Sequence, residues 1–163
     1  MERTFTFQEL PKSVAELQAL PEYAMTDPFM TAALTVAILC NYENDPKTTA
    51  DMLNAIKGPR PLSPYEIQFL RDRLAGKGYK PFSYFDGAAP ANNYTPNRPF
   101  TITVRDDPYS YQNEGYARLQ MHSYGADTDR PITLRQKGEQ WLLWEQMLLS
   151  DIRTPAKDDP WNS

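Results

Sequence analysis

The chain has 163 residues, 17 Lys and Arg against 21 Asp and Glu, and a formal charge of -4. That length is one domain able to bury a core without disulfide or metal staples. Acids and bases are interspersed with no Lys/Arg run, which excludes the electrostatic footprint of a nucleic-acid binder, and the single cysteine, Cys40, excludes an internal disulfide.

Met1 to Glu9 has no apolar core region and no small-residue cleavage site, so no signal peptide is expected. Arg3 to Phe7 reads as a short strand with Phe5 and Phe7 on one face. Ser13-Val14-Ala15-Glu16 reads as a capping box, followed by Val14, Leu17 and Leu20 on one helical face and a stop at Pro21. Asp27-Pro28, Asp45-Pro46 and Ser63-Pro64 then punctuate the first half at constant spacing. Each sets a side-chain acceptor for an orphan helix amide just before a proline, whose missing N–H had no partner at that position. They predict three helix starts.

The helix from Asp27 is apolar nearly all round, from Phe29 to Cys40, so it is central, with an exit at Tyr42 to Asn44. That stretch is too short for a bilayer, which needs about 20 residues. The helix from Asp45 carries Ala50, Leu53 and Ile56 as its stripe and stops at Gly58-Pro59. The helix from Ser63 also carries a capping box to Glu66, turns Ile67, Leu70 and Leu74 inward, and ends at Gly76 and Gly78.

From Tyr79 to Tyr116 the composition changes to nine aromatics and five prolines. The prolines oppose regular helix and the aromatics oppose disorder, so residues 79–99 are expected to form a long ordered loop over the core. Period-two alternation follows. Phe100, Ile102 and Val104 oppose Thr101, Thr103 and Arg105; Ala117, Leu119 and Met121 oppose Tyr116, Arg118, Gln120 and His122; Ile132 and Leu134 oppose Thr133 and Arg135. Lys137-Gly138 turns into Gln140 to Glu145, where Trp141 and Trp144 should face opposite sides with one in the core. Residues 154–163 are a polar tail with Trp161 as an anchor. The expectation is a single α+β domain over 1–163. About four short helices (12–78) pack on a C-terminal antiparallel meander (100–153), joined by the aromatic, proline-rich loop.

Several stretches of wording are distinctive: Tyr79-Lys80-Pro81-Phe82-Ser83-Tyr84-Phe85-Asp86-Gly87-Ala88, Asn92-Asn93-Tyr94-Thr95-Pro96, Pro108-Tyr109-Ser110-Tyr111, Arg130 to Gly138, Trp144-Glu145-Gln146 and Asp159-Pro160-Trp161. They resemble a family of bacterial proteins of about this length known only as a domain of unknown function. The resemblance implies a stand-alone, soluble bacterial protein and transfers no activity, cofactor or catalytic residue. The basic strand, Gly turn and Trp strand also resemble the last hairpin of nuclear-transport-factor-like cone folds, which carries no function.

Complete catalytic sets are missing. His122, the only histidine, falls on the polar face of a strand, and the adjacent Ser123 points to the opposite face. One Cys and one His cannot make a zinc site without several carboxylates, and Asp127-Thr128-Asp129 lacks the rest of a calcium loop. No glycine-rich phosphate cradle is present. No catalytic residue, metal or cofactor is assigned, and neither nucleic acid nor membrane is expected as a partner. What remains is the aromatic segment: Tyr84, Asn93, Tyr94, Arg98, Tyr109 and Tyr111 are residue types that stack on flat ligands or sugars and hydrogen-bond their edges. The same residues also suit a loop that fastens itself to the fold, its tyrosine hydroxyls satisfying buried carbonyls. A paired acid site would need distant carboxylates such as Glu114 and Glu145 to meet in space. Three functions are weighed: a cytoplasmic, non-enzymatic binding or interaction module with an aromatic-lined site, which is favoured; a carboxylate-dependent small-molecule hydrolase, using Asp or Glu with Tyr and Arg; and a self-associating structural protein, a homodimer.

Overall fold

All three proline-bearing caps open helices in the computed structural model, which describes residues 1–161. Asp27 accepts the Met30 N–H at 3.1 Å ahead of the helix Pro28–Leu39, and Asp45 accepts the Thr48 N–H at 3.0 Å ahead of Pro46–Lys57. Ser63 and Glu66 exchange amide bonds of 3.1 Å each at the head of Pro64–Leu74. With Val14–Gln18 before them and the single turn Tyr79–Phe82 after, these are α1 (14–18), α2 (28–39), α3 (46–57), α4 (64–74) and α5 (79–82). The first capping box is half made: Ser13 accepts the Glu16 N–H, but Glu16 accepts the amide of Lys12.

Five strands, β1 (Glu2–Phe7), β2 (Phe100–Arg105), β3 (Tyr116–Met121), β4 (Arg130–Lys137) and β5 (Gln140–Gln146), form one antiparallel sheet in sequence order. The N-terminal strand lies at its edge, Phe5 opposite Ile102 and Phe7 opposite Phe100, all four buried. Ala117, Leu119, Ile132 and Leu134 are buried on the same inner face. Helix α2, buried all round as its composition requires, lies across that face and touches all five strands.

The helical layer also closes the β5 edge. Trp141 N–H donates to Met25 O at 2.8 Å, Thr31 Oγ1 donates to Trp141 O, and Lys57 Nζ donates to Trp144 O at 3.4 Å. These bonds occupy backbone groups that a bare edge strand would leave unpaired.

Two irregularities shape the outer face. β2 and β3 share only the pairs Val104–Met121 and Arg105–Gln120, so the sheet splays between them. Loops fill the wedge on both sides. Asp86 N–H donates to Thr101 O and Tyr124 N–H to Ser83 O at one end; Arg118 N–H donates to Ser110 O at the other. Between β4 and β5 the register shifts: Thr133 pairs with Glu145 but Leu134 with Leu143, leaving Trp144 as the extra residue of a bulge. Trp141 packs at the margin of the core, while Trp144 meets Tyr116 and Arg135 of the outer face, in line with the expected split. Trp161, expected as an anchor, is instead 93% exposed, and the last two residues of the expected tail, 162–163, lie outside the described residues.

Candidate binding groove on the outer face of the sheet

The aromatic segment orders, but mostly by binding the chain's own C-terminal stretch. Tyr84 Oη donates to Leu148 O, Lys80 Nζ to Leu149 O at 3.0 Å, and Arg130 Nε and Nη2 to Ser150 O and Asp151 O at 3.1 and 3.2 Å. Tyr94 Oη donates to Arg153 O at 2.6 Å, and Asn93 Oδ1 accepts the Lys157 N–H at 2.8 Å. Nearly every carbonyl of a strap from Leu148 to Arg153 thus finds a side-chain donor. Burial pushes the Tyr84 hydroxyl well above its ordinary range and the Tyr94 hydroxyl up to about 12; it pushes the Lys80 amine down. The Tyr94 ring stacks on Tyr79 at 5.5 Å with planes 10° apart.

The six nominated residues therefore do not converge. Tyr84 and Tyr94 hold the strap, and Asn93 holds Lys157 just beyond it. Arg98 lies over the Phe100 ring at 4.6 Å and pairs with Glu9 at 3.4 Å, beside a different depression from the one Tyr109 lines. Tyr111 is half-exposed near Asp106; burial, then the Asp106 and Asp27 carboxylates, raise its hydroxyl. Only Tyr109 enters a sizeable groove. Of the residues expected to line one aromatic site, Tyr84 and Tyr94 give their hydroxyls to internal carbonyls, while Arg98, Tyr109 and Tyr111 lie apart from them.

The groove that Tyr109 enters has a volume of about 390 Å³. Its floor is the outer face of β3, β4 and β5: Tyr116, Arg118, Thr133, Trp144 and Glu145. Its roof is the β2–β3 loop, through Asp107, Tyr109, Ser110, Gln112 and Asn113. The roof is built by local chemistry. Asp107 Oδ1 accepts the Tyr109 N–H at 2.8 Å, Ser110 Oγ accepts the Asp107 N–H at 2.9 Å, and Ser110 O takes the Arg118 N–H at 2.9 Å. Gly115 turns the chain at φ +82°, and its carbonyl accepts the Gln136 N–H at 2.8 Å, which seats Tyr116 over β4.

Tyr116 and Trp144 meet edge to face at 5.6 Å and 78°. The Arg135 guanidinium lies over both rings, at 5.4 and 4.7 Å, and Arg60 lies over Trp144 at 4.3 Å. Among the described residues, the Arg118 guanidinium has neither hydrogen-bond acceptor nor ion partner, although it is a groove residue. The alternation pattern had already set Tyr116, Arg118, Thr133 and Arg135 on one polar face. What it lacked was the pairing of Tyr116 with Arg135 and Arg118 with Thr133, and the bulge that adds Trp144 to them.

Elsewhere, His122 Nδ1 lies 3.3 Å from Asp129 Oδ1, and Asp129 also accepts from Arg105. Ser123 points inward, its Oγ 2.7 Å from Ser83 Oγ, so serine and histidine stay apart. Among the described residues no group of three or more His, Cys, Asp or Glu could hold a metal ion, and no helix is long and apolar enough to cross a membrane. A family model matches residues 9–156, a span that contains the whole groove. The chain belongs to the family described as "Domain of unknown function (DUF6935)". No curated protein and no solved structure matches it. For this DUF6935 chain the groove's own chemistry is thus the guide to what it does.

Proposed function

We propose that this chain is a non-enzymatic binding module whose site is the groove beneath the β2–β3 loop. The observation that carries this reading is Arg118: a guanidinium without a partner among the described residues, set beside an edge-to-face tyrosine–tryptophan pair under a pinned roof. An aromatic floor with a few convergent polar groups is the general form of a small-molecule site. Its ligand is a flat polar molecule, a sugar or a heterocycle. One face stacks on Tyr109 and Trp144, and an edge acceptor meets Arg118, Gln112 or Asn113.

Glu145 and Asp107 are the acids that line the groove, and Asp107 is engaged in its own turn. That leaves one carboxylate where glycosidase-type acid–base chemistry needs two, which favours binding over that class of hydrolysis. The resemblance to a bacterial family and a free, buried Cys40 support a bacterial cytoplasmic setting.

Titrating ¹⁵N-labelled protein with a panel of monosaccharides and nitrogen heterocycles tests the site. A binder should give saturable shifts at the Trp144 indole and the β2–β3 loop amides, and Arg118→Ala should weaken it about tenfold. Shifts that map to other surfaces, or that survive Arg118→Ala unchanged, would refute the assignment.

A further inference from the structure

On the far side of Trp144 a second cleft, of about 320 Å³, opens where the α3–α4 turn meets the β4–β5 hairpin. Lys57, Arg60, Arg135 and Lys137 line it, together with Pro59, Leu142 and other apolar side chains, and no acid is among its lining residues. From this geometry we infer a binding site for a small organic oxyanion: an apolar or aromatic body bearing a carboxylate or a phosphate group.

Three observations converge. First, Arg60 and Arg135 both lie over the Trp144 ring, 4.3 and 4.7 Å from its centroid, and neither has a carboxylate partner among the described residues. A guanidinium stacked on an aromatic face is held in orientation while its N–H edge stays free, the fork that carboxylate and phosphate fill in two-pronged fashion. Second, the cleft is held in shape from behind. Gly58, at φ +68°, lets the α3–α4 turn close onto β5 so tightly that a Cβ there would overlap Leu142 Cδ1. That close approach carries Arg60 over Trp144. Third, Lys57 is buried and turned away, donating to Glu66 at 3.3 Å and to Trp144 O at 3.4 Å. Arg60, Arg135 and Lys137 are therefore the cations open to a ligand, in a chain whose formal charge is -4. The apolar walls beside them fit a hydrophobic body better than a bare ion.

The test follows the Trp144 indole N–H and the Arg60 and Arg135 side-chain N–H resonances while benzoate, phenyl phosphate or inorganic phosphate is added. Sodium chloride at matched ionic strength and neutral benzamide are the controls. Saturable shifts with benzoate or phenyl phosphate, absent with both controls, support the site. The arm that binds tighter names the head group, and inorganic phosphate binding more weakly than phenyl phosphate supports the role of the apolar walls. The Arg60→Gln/Arg135→Gln pair should weaken binding at least about tenfold, whereas Arg118→Gln, in the groove across Trp144, should change it less than about twofold. Equal shifts with chloride or benzamide, or binding that Arg118→Gln abolishes and the Arg60/Arg135 pair leaves intact, would overturn the inference while leaving the groove's own reading standing. Should the double variant lose its circular dichroism, Arg60→Gln alone, in a turn, carries the test with an expected loss of about threefold.

Discussion

Alanine at Gly125 would set its methyl carbon on the Tyr94 hydroxyl. A Cβ there overlaps Tyr94 Oη and comes within 2.9 Å of Tyr94 Cζ and of Ile152 Cγ2. Gly125 lies outside the left-handed region, so the backbone tolerates alanine and gains about 0.5 kcal/mol from a stiffer unfolded chain. The cost is steric. The ring must shift, the 2.6 Å bond from Tyr94 Oη to Arg153 O goes, at about 1 kcal/mol, and overpacking adds about 1–3 kcal/mol. Gly125→Ala should therefore destabilise by about 2–3 kcal/mol. Tyr94→Phe should cost about 1 kcal/mol for the hydrogen bond, and it also removes the clashing oxygen. With Tyr94→Phe in place, Gly125→Ala should cost only about 1 kcal/mol, because the 2.9 Å contacts with the ring carbon Cζ and with Ile152 remain after the closest one, to the oxygen, is gone. The double variant is then more stable than the sum of its parts by about 1–2 kcal/mol, well inside the range for touching residues. Guanidinium unfolding followed by tryptophan fluorescence gives all four corners of the cycle. In thermal melts each kcal/mol is about 2–4 °C for a chain of this size. Additivity within about 0.5 kcal/mol would show that the strap is not held through the Tyr94 hydroxyl against Gly125.

Tyr84→Phe strands the buried Leu148 carbonyl, so a loss of about 1–3 kcal/mol in chemical denaturation is expected, more than for Tyr94→Phe; a change below 0.5 kcal/mol would argue against that bond. Stability should also fall in alkali. Burial raises the Tyr84 hydroxyl and raises that of Tyr94 to about 12, so the stability linked to their protonation is full below about pH 10 and is lost as pH climbs from there through the folded-state values. Lys80 works the other way, its lowered amine shedding its burial penalty as pH rises, but it is one group against several raised tyrosines. Phenolate absorbance should show two tyrosines that ionise only as the fold melts; a full titration near pH 10 without unfolding would refute this.

What the sequence disclosed was the chemistry that acts over a turn or two. A cap at Asp27 or Ser63 satisfies an amide three residues on, and the alternation through Ala117, Leu119 and Met121 needs only its own strand to separate two faces. Both are local, so both are written in adjacent letters. The destination of a tyrosine hydroxyl is not local. Tyr84 and Tyr94 reach Leu148 and Arg153 across most of the sheet-forming half of the chain, and nothing near either tyrosine distinguishes an internal carbonyl from a ligand oxygen. Tyr-rich loops invite both readings until the strap is placed.

The groove shows the complementary failure. Its residues sit on strands whose letters looked like an ordinary solvent face, and on a solvent face Tyr116, Arg118 and Thr133 would need no explanation. They become a site through two departures from regular pairing: the short overlap of β2 with β3, which frees a loop to fold back and roof β3, and the bulge that swings Trp144 in beside Tyr116. The short overlap leaves the periodicity of β2 and β3 untouched, and the one-residue shift that the bulge puts into β5 falls in a run, Trp141 to Trp144, that is apolar at every position and so hides it. The same bulge sets Trp144 between two surfaces, a roofed polar groove on one side and an arginine-lined cleft on the other. Trp144→Ala should therefore disturb both, while Arg118 and Arg60 report on one each. That asymmetry lets the two recognition surfaces be separated by experiment although they share a residue.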